Sequence, residues 1–93
     1  MTERVVTVAT EAGLHARPAD VFVETAKRFD ADLRLSRADS DDVVAADSMI
    51  GVNSLNVRNG EDVRLVAEGP DAEEALDALE AVLTTPEAEL RSD

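Results

Sequence analysis

Four short stretches of this chain have the look of strands and three have helical spacing. Val5-Val6-Thr7-Val8-Ala9 is β-branched, with Val6 and Val8 on one face. Leu33-Arg34-Leu35-Ser36 alternates cleanly, Val43-Val44-Ala45-Ala46 is a short weak run, and Val63-Arg64-Leu65-Val66-Ala67 is the last strand. Over residues 16–29, Ala19, Phe22, Val23, Ala26 and Phe29 make one apolar stripe, with Pro18 in the first turn and Lys27 and Arg28 in the last. Asp47-Ser48 reads as an N-cap pair opening a short helix, Met49–Leu55, whose Val52 and Leu55 face inward and which Asn56 stops in a left-handed conformation. Asp71 with Glu74 forms a capping-box-like start to a final helix, which buries Ala72, Ala75, Leu76, Leu79, Val82 and Leu83.

Turn signals separate these runs. Thr10–Gly13, the polar stretch Arg37–Asp42, Asn59-Gly60 and Gly69-Pro70 each break the pattern. The order is strand, helix, strand, strand, short helix, strand, helix. That interleaving, with no glycine-rich dinucleotide turn, predicts an α+β layer: one four-stranded sheet with the helices on one face. Residues 1–93 read as a single domain, with Pro86 ending regular structure and 86–93 a mobile polar tail.

Some apolar residues fall off these inward stripes. Val21 lies one turn after Arg17 and reads either as a lone surface valine or as part of a docking patch. Met49 and Ile50, with Asn53, share the other side of the short helix, either as a contact surface or simply buried.

Composition narrows the chemistry. The chain has no cysteine and one histidine, so disulfides, thiolate sites and a histidine-rich zinc site are excluded, and no metal is expected. No apolar run approaches a membrane span and the N-terminus lacks a signal pattern, which makes a soluble cytoplasmic protein the expectation. The formal net charge is -12, which argues against nucleic-acid binding. Of nine basic residues only Lys27 is lysine, and the acids are spread along the whole chain. Dispersed acid of this kind fits a protein adapted to high salt, or else a surface that binds a basic partner; the dispersal favours the former. No nucleophile elbow, oxyanion loop or phosphate-cradling glycine loop is present.

What remains is His15. It falls at the N-cap of the first predicted helix, where unpaired N–H groups can receive phosphoryl oxygens. Arg17, two residues on, can add charge-assisted hydrogen bonds to the same group. A surface histidine near a helix start is the plainer reading of the residue by itself.

Glu11-Ala12-Gly13-Leu14-His15-Ala16-Arg17-Pro18-Ala19 closely resembles the active-site signature of the HPr family, the histidine-containing phosphocarriers of the sugar phosphotransferase system. Ser48-Met49-Ile50-Gly51-Val52-Asn53-Ser54-Leu55 resembles that family's second signature, around a regulatory serine. The resemblance runs to about residue 84. It implies an HPr-like open-faced β-sandwich, a four-stranded antiparallel sheet with three helices on one face (βαββαβα). It further implies that His15 takes a phosphoryl group on Nδ1 from phospho-Enzyme I and passes it to a sugar-specific IIA domain, with Arg17 assisting. The chain would act as a monomer, with no cofactor and no turnover of its own. Ser48 matches the serine that an HPr kinase phosphorylates in some members, and the docking surface would comprise Arg17, Val21, Met49, Ile50 and Asn53. Two alternatives stand beside sugar uptake: a carrier serving a dihydroxyacetone kinase or a regulatory relay, and an interaction module switched by phosphorylation of Ser48. Three features depart from the family's usual pattern. The loop before Ser48 is about two residues longer, Ala12 replaces a polar side chain that can help cap the helix, and Asp20 and Glu24 make the docking face acidic.

Overall fold

The computed structural model describes residues 1–85. Its elements are β1 (Thr2–Thr7), α1 (Ala16–Ala26), β2 (Asp32–Arg37), β3 (Val44–Ala45), α2 (Met49–Ser54), β4 (Asp62–Glu68) and α3 (Ala72–Thr84). The strands form one antiparallel sheet in the order β1-β4-β2-β3, and the three helices cover one face of it. This is an open-faced α+β sandwich, the predicted architecture.

Alternation along the strands decides which side is covered. Register pairs Val6 with Val63 and Leu35 with Leu65, and these four are buried against the helices with Leu33 and Ala67. The opposite face carries Glu3, Asp32, Arg34, Arg64 and Glu68, so it meets water. Phe22 is fully buried among Leu14, Val52, Leu76, Leu79 and other aliphatic side chains, making a thin core suited to a chain with two aromatics. All six residues predicted for the inner face of α3 are buried.

Two boundaries and one helix cap differ from expectation for local reasons. First, β1 lies earlier than predicted, at Thr2–Thr7, because two charged residues fit the strand. Glu3 points to the open face and pairs with Arg64. Arg4 lies on the covered side and reaches Glu73, Asp77 and Glu80 along α3. Its guanidinium is held above its ordinary range, chiefly by the bond to Asp77. Second, α1 stops at Ala26 instead of reaching Phe29, leaving Lys27 as C-cap and Arg28 beyond the helix. The chain there tightens into i→i+3 bonds, Arg28 N–H to Thr25 O and Phe29 N–H to Ala26 O, before entering β2.

Third, Asp71 is the N-cap of α3 but does not close a capping box. Its carboxylate instead accepts the backbone N–H groups of Asp30 (2.9 Å) and Ala31 (2.8 Å), tying the turn after α1 to the start of α3. The predicted end of structure at Pro86 and the predicted tail lie outside the described residues. Among the described residues no helix is long and apolar enough to cross a membrane.

Asp71→Ala removes a charged acceptor from two backbone donors and should lower unfolding free energy by about 1–2 kcal/mol. Urea denaturation measures this, and an unchanged midpoint would contradict the assignment.

Candidate functional site

His15 sits where an irregular loop becomes a helix, and the loop's shape begins at Thr10. Thr10 is fully buried; its hydroxyl donates to Gly13 O at 2.7 Å, while Gly13 N–H returns to Thr10 O at 3.0 Å. The two bonds close residues 10–13 into a tight turn. Gly13 has φ +74° and is pressed against the backbone of residues 57 and 58, so that a Cβ there would lie 2.7 Å from Arg58 Cα. Only glycine satisfies both the angle and the space. The next residue, Leu14, buries its side chain completely and donates its N–H to Val57 O at 3.0 Å.

With Leu14 anchored on both sides, His15 follows in extended conformation (φ -136°, ψ 168°) as the N-cap of α1. Its side chain makes no capping hydrogen bond and is half-buried. Ala16 then takes φ +52°, a left-handed conformation that residues with a Cβ rarely adopt and that costs on the order of 1 kcal/mol. The bend turns the chain from the loop into the helix. Arg17 is exposed at the second position of α1, and Pro18 and Ala19 are buried behind it. The arrangement offers a heteroaromatic nitrogen nucleophile at the end of a helix, with a guanidinium on the same first turn.

The second predicted motif lies on α2, which packs against α1. Ser48 is its N-cap, and the hydroxyl accepts Gly51 N–H at 3.1 Å. Ile50 is 85% exposed, the first of the two readings left open for it, and Asn53 is exposed as well. Met49 is half-buried against the core, so it forms a shoulder of the surface and not a free knob. Val21 is 8% exposed, which removes it from the surface: although off the main stripe of α1, it is enclosed with the rest of the core. Asp20 and Glu24 are exposed on α1.

Sequence reasoning passed over the segment beneath the loop. Asn59-Gly60 reads as a turn and nothing more, yet Asn59 Nδ2 donates to Thr10 O at 3.0 Å across 49 positions. Asn56 takes the left-handed φ (+52°) expected of it. From the other side Arg37 bonds Asn56 O (3.2 Å), Leu55 O and the Glu61 carboxylate, which also accepts Arg58 N–H at 2.8 Å. The Arg37 guanidinium, and after it the Arg58 N–H, hold the Glu61 carboxyl below the usual carboxylate range. No periodicity signals such contacts, because they depend on β4 lying beside both β1 and β2.

Comparisons with known proteins agree. The family described as PTS HPr component phosphorylation site matches residues 2–85. The chain is 66% identical over 86 residues to a phosphocarrier protein HPr from Haloferax volcanii, covering 92% of this chain and 97% of that one. It is 47% identical over 68 residues to a multiphosphoryl transfer protein from Vibrio cholerae, covering 72% of this chain and 17% of that larger protein. A crystal structure of a phosphocarrier protein HPr from Bacillus anthracis superposes with a TM-score of 0.82 at 40% identity, covering 88% of this chain and 95% of that one.

Two substitutions test the loop's support. Gly13→Ala should cost about 2 kcal/mol or more, from its angle and its contact with the 57–58 backbone together, as read by thermal unfolding. Glu61 has a depressed carboxyl pKa, so its contribution is complete above the unfolded-state value of about 4.3 and fades as pH falls through the lower folded value. The stability gap between wild type and Glu61→Gln should therefore be constant at neutral pH and narrow in acid; a gap that widens in acid would contradict the pairing.

Proposed function

The chain belongs to the HPr family of histidine-containing phosphocarriers, and on that premise we propose that it takes a phosphoryl group from phospho-Enzyme I on Nδ1 of His15 and delivers it to a sugar-specific IIA domain. The supporting observation is the placement of His15. It is a helix N-cap whose imidazole makes no capping bond, held by a loop fixed on both sides of Leu14.

The step conserves atoms and charge. His15, with its ring proton on Nε2, directs the Nδ1 lone pair at the donor's phosphorus. The new N–P bond forms as the donor's N–P bond breaks, and the donor imidazole leaves with that electron pair. Transfer to the IIA domain repeats the exchange with His15 as leaving group. Arg17 contributes hydrogen bonds to the phosphoryl oxygens as charge passes between the rings. The free first-turn N–H groups of α1 favour negative charge at this helix end. No metal or cofactor is needed for an exchange between two imidazoles.

Docking falls to the surface shared by α1 and α2. Ile50 supplies the apolar anchor, Arg17 and Asn53 the polar contacts, and Met49 the shoulder; Val21 supports that surface from beneath. Asp20 and Glu24 weaken attraction toward an acidic partner. At molar salt the screening length falls to about 3 Å, so their effect is short-ranged and apolar contact carries more of the binding. This setting, with Enzyme I and IIA domains as partners, is cytoplasmic. Ser48 enters as the cap of α2. A phosphate on that hydroxyl would place negative charge at the docking surface, which makes Ser48 the point of control by an HPr kinase where one is present.

Enzyme I and phosphoenolpyruvate should place an acid-labile phosphate on the wild type and on Ser48→Ala, and none on His15→Ala. Equal labelling of His15→Ala would refute the proposal.

A further inference from the structure

We propose that Asn59 is a positioning residue for phosphoryl transfer, holding the His15 loop in its accepting shape through the carbonyl of Thr10. The proposal rests on the phosphocarrier reading of His15 and assigns work to a residue outside both recognised motifs.

Three observations carry it. The Thr10 carbonyl is the hub of the loop: it receives Gly13 N–H from within (3.0 Å) and Asn59 Nδ2 from outside (3.0 Å). Asn59 itself stands on a well-held turn, because Gly60 N–H donates to Val8 O at 2.8 Å and Glu61 N–H to Arg58 O at 3.1 Å. The third observation concerns what this chain lacks. Residue 12 is Ala, which offers no side-chain acceptor to the start of α1, and the His15 side chain makes no cap bond either. Among the described residues, Thr10 braces this turn from within and Asn59 reaches it from another part of the chain.

The consequence is geometric. Leu14 is fixed by Val57 O, and Ala16 is held in a left-handed conformation that relaxes if the loop is released. Without the Asn59 amide, the Thr10–Gly13 turn keeps its local bonds but loses its side-chain tether to the turn that precedes β4. The His15 ring then samples a wider range of directions, and an in-line exchange is sensitive to displacements of about 1 Å. Asn59 is exposed at the surface, so its replacement leaves the buried core untouched.

The experiment compares Asn59→Ala, Asn59→Asp and Asn59→Gln with wild type, using Enzyme I and phosphoenolpyruvate as donor. Asp is isosteric but, ionised, cannot donate to a carbonyl; Gln keeps the donor. Ala and Asp should lower the maximal rate of His15 phosphorylation about tenfold with KM for phospho-Enzyme I within about twofold, and Gln should recover most of the rate. Backbone amide exchange at Gly13 and Leu14 should quicken by about tenfold in Asn59→Ala while that of the buried α3 residues follows global stability. Asp71→Ala, which loosens the opposite end of α1, should destabilise without altering the maximal rate. Wild-type rate and exchange in Asn59→Ala would overturn the assignment, as would an equal rate loss in Asp71→Ala. A wild type that takes no label would defeat the phosphocarrier reading itself, and this role would fall with it.

Discussion

One backbone junction shapes the loop that carries His15: the seat of residues 10–14 against residues 57–61. Gly13 has no side chain because Val57 and Arg58 occupy that space, and Leu14 N–H closes on Val57 O. That seat exists because β4 is a central strand, paired with β1 on one side and β2 on the other. The turn leading into β4 therefore meets the loop leaving β1. α1 can begin where it does only because this seat fixes the chain immediately before His15. The sheet is thus the base on which His15 is held, and the unusual φ of Ala16 is the local strain that the seat sustains.

Electrostatics reinforces the same places. The chain has nine basic residues against 21 acidic ones, and each well-placed arginine serves several partners. Arg4 gathers three carboxylates of α3 onto the edge strand, and Arg37 joins Glu61 and Asp39 to the carbonyls ending α2. The planar guanidinium, with five donors in a fixed fork, allows this and an ammonium does not, which suits a chain with a single lysine. The remaining acids are dispersed over the surface and repel one another at low ionic strength. Close similarity to a Haloferax volcanii protein agrees with a chain shaped for high salt.

Much of this was legible in the sequence where burial follows a period. The element order, the inward face of α3 and the Ser48 cap all follow from spacing and local chemistry. Two kinds of feature escaped. Charged residues inside strands obscured the start of β1, because Glu3 and Arg4 find partners only once the sheet and α3 exist. Contacts distant in sequence were invisible as well: Asp71 binds the turn at Asp30 and Ala31, and Asn59 binds Thr10. Val21 shows the limit of a single helical stripe, since α1 is covered by both α2 and α3 and so buries a wider arc than one neighbour would require. The His15 motif was visible in the sequence, whereas the seat beneath it required the fold.

The proposed phosphocarrier role places the phosphoryl group on Nδ1 of His15. Long-range ¹H–¹⁵N correlation of the imidazole, recorded in high salt before and after treatment with Enzyme I and phosphoenolpyruvate, tests it most directly. The expected result is phosphorus coupling at Nδ1 with the ring proton retained on Nε2, and loss of that coupling when an IIA domain is added. Phosphorus found on Nε2, or on a residue other than His15, would contradict it.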